Sequence, residues 1–127
     1  MRVMIVEDEA FVALDLERIV QEAGHLAIGP VNTVEQALAY APKAEIALVD
    51  LGLADGLSGS QLARRLIDRF GISVIFVTGA PGDIGYGLEG AVDVVSKPFT
   101  DERLIQAIEK AVHQRPGHSD QEGAFGV

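Results

Sequence analysis

Cysteine is absent from this sequence, and positive charge is scarce. The lack of cysteine excludes disulfide bonds, thiolate metal sites and a cysteine nucleophile. Lys and Arg total 10 against 19 for Asp and Glu, which gives a formal net charge of −9. Nucleic acids and anionic lipid surfaces are bound by basic surfaces. We therefore expect no nucleic-acid binding and no attraction to a membrane.

Long apolar runs and targeting segments are missing as well. No stretch approaches the length needed to span a bilayer. The chain starts on a strand-like run, without the basic and apolar regions of a signal peptide. A length of 127 residues suits one domain with a single core. We expect a soluble cytoplasmic protein, with one domain over residues 1–115 and a flexible polar tail over residues 116–127.

Short apolar runs alternate with amphipathic segments along the chain. Continuous runs of branched residues, bounded by charge or glycine, indicate buried strands. They lie at residues 2–6, 25–31, 46–50, 72–77 and 91–96, and Gly29 and Pro30 break the second one. The segments between them have the helical spacing of apolar residues. Phe70 belongs to one such apolar face, and Thr33 and Thr100 are predicted helix caps. Residues 80–90 contain four glycines and predict only a short or loosely ordered helix.

This alternation predicts an α/β fold with right-handed crossovers and helices on both faces of a parallel sheet. Five strands suit the flavodoxin-like doubly wound order 2-1-3-4-5. In that order the switch point lies between the first and third strands. Ligands bind at such switch points, beyond the carboxyl ends of the strands.

Polar residues follow four of the predicted strands at this edge of the sheet. They are Glu7 with Asp8, then Asp50, Thr78 and Lys97. Three carboxylates at one edge would repel each other unless a hard cation such as Mg²⁺ joined them. A carboxylate can also attack phosphorus to give an acyl phosphate. An ammonium and a hydroxyl would then help to position and neutralise the phosphoryl group. The pattern indicates phosphoryl chemistry at Asp50.

The same residues, with Pro98 and Phe99 after Lys97, resemble the receiver domains of two-component response regulators over residues 1–114. The strand order 2-1-3-4-5 is that of the family. The resemblance implies that Asp50 accepts a phosphoryl group from a sensor histidine kinase. It implies a cis peptide bond before Pro98 and contacts of Lys97 and Thr78 with the phosphate. It also implies an Mg²⁺ site formed by Glu7, Asp8, Asp50 and the backbone carbonyl of Gly52.

The sequence departs from most receivers at two places. Val94 stands where the family usually has an aromatic residue that rotates inward on activation, so the aromatic switch is not expected. The loop after Asp50 is one residue longer than in most receivers. Together with the run from Phe76 to Tyr86, these features resemble the FAT-GUY receivers, although Val77 replaces the alanine of that motif. That subclass is associated with sensor kinases of the HWE and related types.

The resemblance implies a phosphorylatable switch rather than a turnover enzyme. Its output surface would be the face formed by the fourth helix, fifth strand and fifth helix of the family. The glycine content of residues 79–90 leads to the hypothesis that phosphorylation orders this segment. A relay or phosphate-sink role and an allosteric role both remain open. Two alternatives are a phosphohydrolase with an aspartate nucleophile and a pseudo-receiver that only binds a partner. The first usually carries an Asp-x-Asp pair on its first strand, and the second would have lost part of the site.

Overall fold

A five-stranded parallel sheet forms the centre of the protein in this computed structural model, which describes residues 1–52, 59–83 and 89–115. The strands are β1 (Arg2–Val6), β2 (Leu26–Val31), β3 (Ile46–Val49), β4 (Ser73–Thr78) and β5 (Asp93–Ser96). The helices are α1 (Ala10–Glu22), α2 (Val34–Tyr40), α3 (Gly59–Phe70) and α4 (Asp101–Gln114), with 3₁₀ turns at Ala41–Lys43 and Pro81–Asp83. The strand order is β2-β1-β3-β4-β5, and every pair is parallel. The flavodoxin-like fold is therefore confirmed.

Apolar side chains are buried on both faces of the sheet, as the continuous runs predicted. On one face, Met4 and Val6 of β1 belong to a buried cluster that includes residues of α2 and α3. On the other face, Val3 and Ile5 belong to a cluster with residues of α1 and α4. Successive residues of a strand point to opposite faces, so β1 is enclosed by core on both sides. The polar residues that follow the strands are left at the carboxyl edge.

Local signals set the ends of several helices. The hydroxyl of Thr33 accepts a hydrogen bond from the backbone N–H of Gln36 at 3.1 Å, and that of Thr100 accepts one from Arg103 at 3.1 Å. Both predicted caps are confirmed. Gly24, just beyond α1, has a φ of +90°. Glycine adopts this left-handed conformation without the steric cost that a Cβ would bring, which ends the helix.

Two details differ from the sequence-based expectation, and a third is only partly tested. Strand β2 continues through Gly29 and Pro30, although its pairing with β1 shifts between Met4 and Val6. Proline is tolerated there because β2 is an edge strand. Phe70 is exposed, at 37%, rather than part of the core. Between β4 and β5 the described chain forms the 3₁₀ turn, and residues 84–88, on which the predicted helix partly falls, lie outside the described residues, as does the predicted tail.

Among the described residues, none of the helices has the length and hydropathy of a membrane span.

Candidate functional site at the carboxyl edge of the sheet

Three carboxylates converge beyond the ends of β1 and β3. These two strands are neighbours whose last residues, Val6 and Val49, are register partners. The backbone N–H of Asp50 donates to the carbonyl of Val6 at 3.0 Å, which fixes Asp50 beside Glu7. Ligand oxygens of Glu7, Asp8 and Asp50 all lie within 4.8 Å of one another. The switch point predicted from the sheet order therefore contains the three predicted acids.

Lys97 reaches the same place from the end of β5. The pairing of β4 with β5 continues in a hydrogen bond from the Lys97 N–H to the carbonyl of Thr78, at 2.8 Å. The Lys97 Nζ lies 2.8 Å from Glu7 Oε1 and 3.5 Å from Asp50 Oδ2, and its side chain is only 14% exposed. The peptide bond before Pro98 is cis, as the resemblance implied. The Lys97 ammonium therefore lies among the predicted carboxylates, as the sequence predicted.

Glu7 is the most deeply buried of these acids. Burial raises its pKa from the ordinary 4.5 to about 7, and the neighbouring Asp50 carboxylate adds to the rise. The ammonium of Lys97 and the N–H of Glu9, which donates to Oε2 at 3.2 Å, act in the opposite direction. The Oε1 atom of Glu7 forms an ion pair with Lys97 Nζ. Within the described part of the chain it accepts no hydrogen bond. A buried oxygen without a hydrogen bond can still serve as a ligand for a cation.

The donor set fits Mg²⁺. All of its atoms are oxygens, and Mg²⁺ prefers one or two carboxylates together with waters and phosphate oxygens. The acids border an acidic cleft, a name we use for the hollow lined mainly by Asp8, Glu9, Asp50, Leu51, Gly52, Thr78 and Lys97. Asp8 is exposed and Gly52 lies on the same lining, so waters and a phosphoryl group have access. Asp50 and Glu7 supply the buried carboxylates of the site.

Thr78 and Lys97 complete the cleft with a hydroxyl and an ammonium. The Thr78 hydroxyl accepts a hydrogen bond from the Ala80 N–H at 3.0 Å, so it keeps its own hydrogen to donate. Burial alone lowers the pKa of Lys97, but contacts with the three neighbouring carboxylates outweigh burial and raise that pKa above its ordinary value. The amine is therefore protonated at neutral pH and can bind an anion.

Glu9 is a further residue of the cleft to which the sequence assigned no role. Its Oε1 lies 3.0 Å from Lys97 Nζ, although the two residues are 88 positions apart. The run Glu7-Asp8-Glu9 was the only available signal, and it could not distinguish a third site residue from an acid that favours the start of α1.

An apolar hollow opens beside the acidic cleft and shares two of its residues, Glu9 and Lys97. We use this name for the surface that includes Phe11, Val12, Leu14, Pro98 and Phe99. Phe11 is 89% exposed and Leu14 is 59% exposed. Two large apolar side chains are therefore presented to solvent next to the candidate site.

Comparison with known proteins gives the family. The model of the response regulator receiver domain matches residues 3–109. The chain belongs to this family. The phyllosphere-induced regulator PhyR of Methylorubrum extorquens is 34% identical over 115 residues, covering 87% of this chain and 43% of that protein. The sensory transduction protein RegX3 of Mycobacterium tuberculosis is 38% identical over 132 residues, covering 98% and 56%. This receiver chain thus spans about half the length of these curated relatives.

Solved receivers share the fold. The response regulator PhyR from Brucella abortus superposes with a TM-score of 0.81 at 32% identity, over 97% of this chain and 51% of that one. The receiver domain of Erythrobacter litoralis PhyR gives a TM-score of 0.81 at 30% identity, over 91% of this chain and 93% of that one. The second comparison covers almost the whole of both chains. The described residues therefore share the receiver fold.

Proposed function

We propose that this receiver domain accepts a phosphoryl group on Asp50 and thereby changes its binding to a partner protein. The observation that carries the proposal is the meeting of the Asp50 carboxylate with two further carboxylates, of Glu7 and Asp8, and with the ammonium of Lys97 at the switch point. The donor would be the phosphohistidine of a sensor histidine kinase, as the family suggests. The FAT-GUY features point to a kinase of the HWE or a related type.

The transfer step follows from the residues around Asp50. A carboxylate oxygen of Asp50 attacks phosphorus, the new O–P bond forms, and the P–N bond to the donor imidazole breaks. Lys97 and Thr78 would hold the phosphoryl oxygens, since one is a protonated amine and the other keeps a hydroxyl hydrogen. Mg²⁺, when bound by Glu7, Asp8, Asp50 and the Gly52 carbonyl, would neutralise the charge of the phosphoryl group. The domain would catalyse its own phosphorylation on Asp50 and the later hydrolysis of the aspartyl phosphate. It would therefore be a switch and not a turnover enzyme.

The donor protein would dock on the apolar hollow. This surface is continuous with the acidic cleft through Glu9 and Lys97, so a protein seated there would have its phosphohistidine close to Asp50. Phe11 and Leu14 are exposed large apolar residues of the kind that mark protein-binding surfaces. The net charge of −9 argues against nucleic acid as the partner of the same surface.

The signal would leave the domain through the surface around β5 and α4. Val94 is half-buried and packs against the core cluster under α2 and α3, so an aromatic rotation is not part of the proposed switch. Ordering of residues 79–90 on phosphorylation is the alternative that we propose. Residues 84–88 of this segment lie outside the described residues, so the support for this step is the glycine content of the sequence.

Intact mass after incubation with acetyl phosphate and Mg²⁺ tests the proposal. Wild type should gain a single phosphoryl adduct, and omission of Mg²⁺ or the variant Asp50→Ala should abolish it. Asp8→Asn should reduce the adduct because one metal ligand loses its charge. Asp68→Asn is a matched control, since Asp68 is an exposed acid of α3 that pairs with Arg64.

Two results of the mass measurement would contradict the proposal. Steady consumption of acetyl phosphate without a retained adduct would favour the phosphohydrolase. An unmodified wild type that neither consumes the donor nor binds Mg²⁺ would favour a pseudo-receiver.

A further inference from the structure

The ammonium of Lys97 is shared among three carboxylates, and one of them lies outside the proposed metal site. Lys97 Nζ lies 2.8 Å from Glu7, 3.0 Å from Glu9 and 3.5 Å from Asp50. The group of acids whose oxygens could share one metal ion contains Glu7, Asp8 and Asp50. Glu9 therefore has a position in the cleft that the metal site does not explain.

The backbone of Glu9 contacts helix α1, whereas its side chain contacts Lys97. Its backbone occupies the N-cap position of α1, and its carbonyl accepts the Ala13 N–H at 2.9 Å. The Glu9 carboxylate makes no hydrogen bond to the first turn of α1 and instead contacts Lys97. The side chain is therefore held by a distant residue and not by its own helix.

We propose that Glu9 is a positioning residue that holds Lys97 in the unphosphorylated protein and competes with the phosphoryl group for it. This inference rests on the proposed function. Glu7 and Asp50 would be occupied by the metal and the phosphoryl group in the phosphorylated protein. Glu9 is 61% exposed and keeps its charge and its reach to Lys97. In this proposal the ammonium leaves Glu9 as it moves to the phosphoryl oxygens, and the lost contact favours the unphosphorylated state.

Binding of beryllofluoride, a phosphoryl mimic, in the presence of Mg²⁺ measures this competition at equilibrium. Glu9→Gln should tighten beryllofluoride binding roughly two- to five-fold, the range set by exposed ion pairs. Glu9→Asp keeps the charge but shortens the side chain by one methylene, so it loses the contact and should give a similar gain. Glu17→Gln removes the same charge from α1 at a position that lines neither hollow, and should bind as wild type does.

The results separate this inference from the proposed function. If Glu9→Asp binds like wild type while Glu9→Gln binds more tightly, net charge near the cleft is the cause and the positioning role is wrong. If both Glu9 variants bind like wild type, or if Glu17→Gln gains as much as they do, the inference also fails while the proposed function stands. If wild type itself does not bind beryllofluoride with Mg²⁺, the proposed function is contradicted and this inference fails with it.

Discussion

At the scale of single residues, the site depends on a buried acid whose charge is costly without a cation. Glu7 is fully enclosed, and burial raises its pKa to about 7. Lys97 compensates this charge only in part, because its ammonium is also in contact with Glu9 and Asp50. The sequence predicted that Glu7 lies at the carboxyl edge. It could not predict the raised pKa, since that depends on how completely neighbouring elements exclude water.

The stability of the metal-free protein should reflect Glu7. The folded-state pKa, about 7, lies above the ordinary 4.5, so the folded state binds more protons between these values. The contribution of Glu7 to stability is then fully present below about pH 4.5 and is lost as the pH rises through about 7. The free energy of unfolding of wild type relative to Glu7→Gln should fall over this range, as measured by urea unfolding in a chelator. Parallel pH profiles of the two proteins would contradict the assignment.

At the scale of elements, the position of Asp50 depends on the start of α3. The Gly59 N–H donates to the carbonyl of Leu51 at 2.8 Å, which brings the helix against the end of β3. A Cβ on Gly59 would lie 2.8 Å from the Leu51 Cα and 2.9 Å from the Asp50 carbonyl carbon. In the sequence, Gly59 is only one of several glycines that follow Asp50. The need for glycine follows from a close approach of two backbones, which no local pattern reveals.

Gly59→Ala should therefore shift the backbone of Asp50. We expect a loss of about 1–3 kcal/mol of unfolding free energy, as for other overpacked sites, and slower phosphorylation by acetyl phosphate. Gly82→Ala is the matched control, because a Cβ there would meet no atom within 4 Å. Urea unfolding and the initial rate of adduct formation are the measurements. A Gly59→Ala protein as stable and as reactive as wild type would show that the helix start does not position Asp50.

At the scale of the whole molecule, the sequence predicted the architecture better than the contacts within it. Short, nearly continuous apolar runs such as Arg2–Val6 and Ile46–Val49 are typical of strands buried between two layers of helices, and these runs predicted the parallel sheet. The strand order came from the family resemblance. Glu9 and Lys97 are 88 positions apart in the sequence. They are in contact because the folded sheet brings the end of β5 near the start of α1. Long-range pairs of this kind need the assembled sheet.

The location of the phosphoryl group tests the central claim most directly. Wild type is phosphorylated with acetyl phosphate and Mg²⁺, reduced with borohydride, digested and sequenced by tandem mass spectrometry. Borohydride converts an aspartyl phosphate into homoserine and leaves a free carboxylate unchanged. Our account predicts homoserine at position 50 and at no other position. Homoserine at Asp8, or reduction of no acid at all in a protein that carries the adduct, would contradict the assignment of Asp50 as the phosphoacceptor.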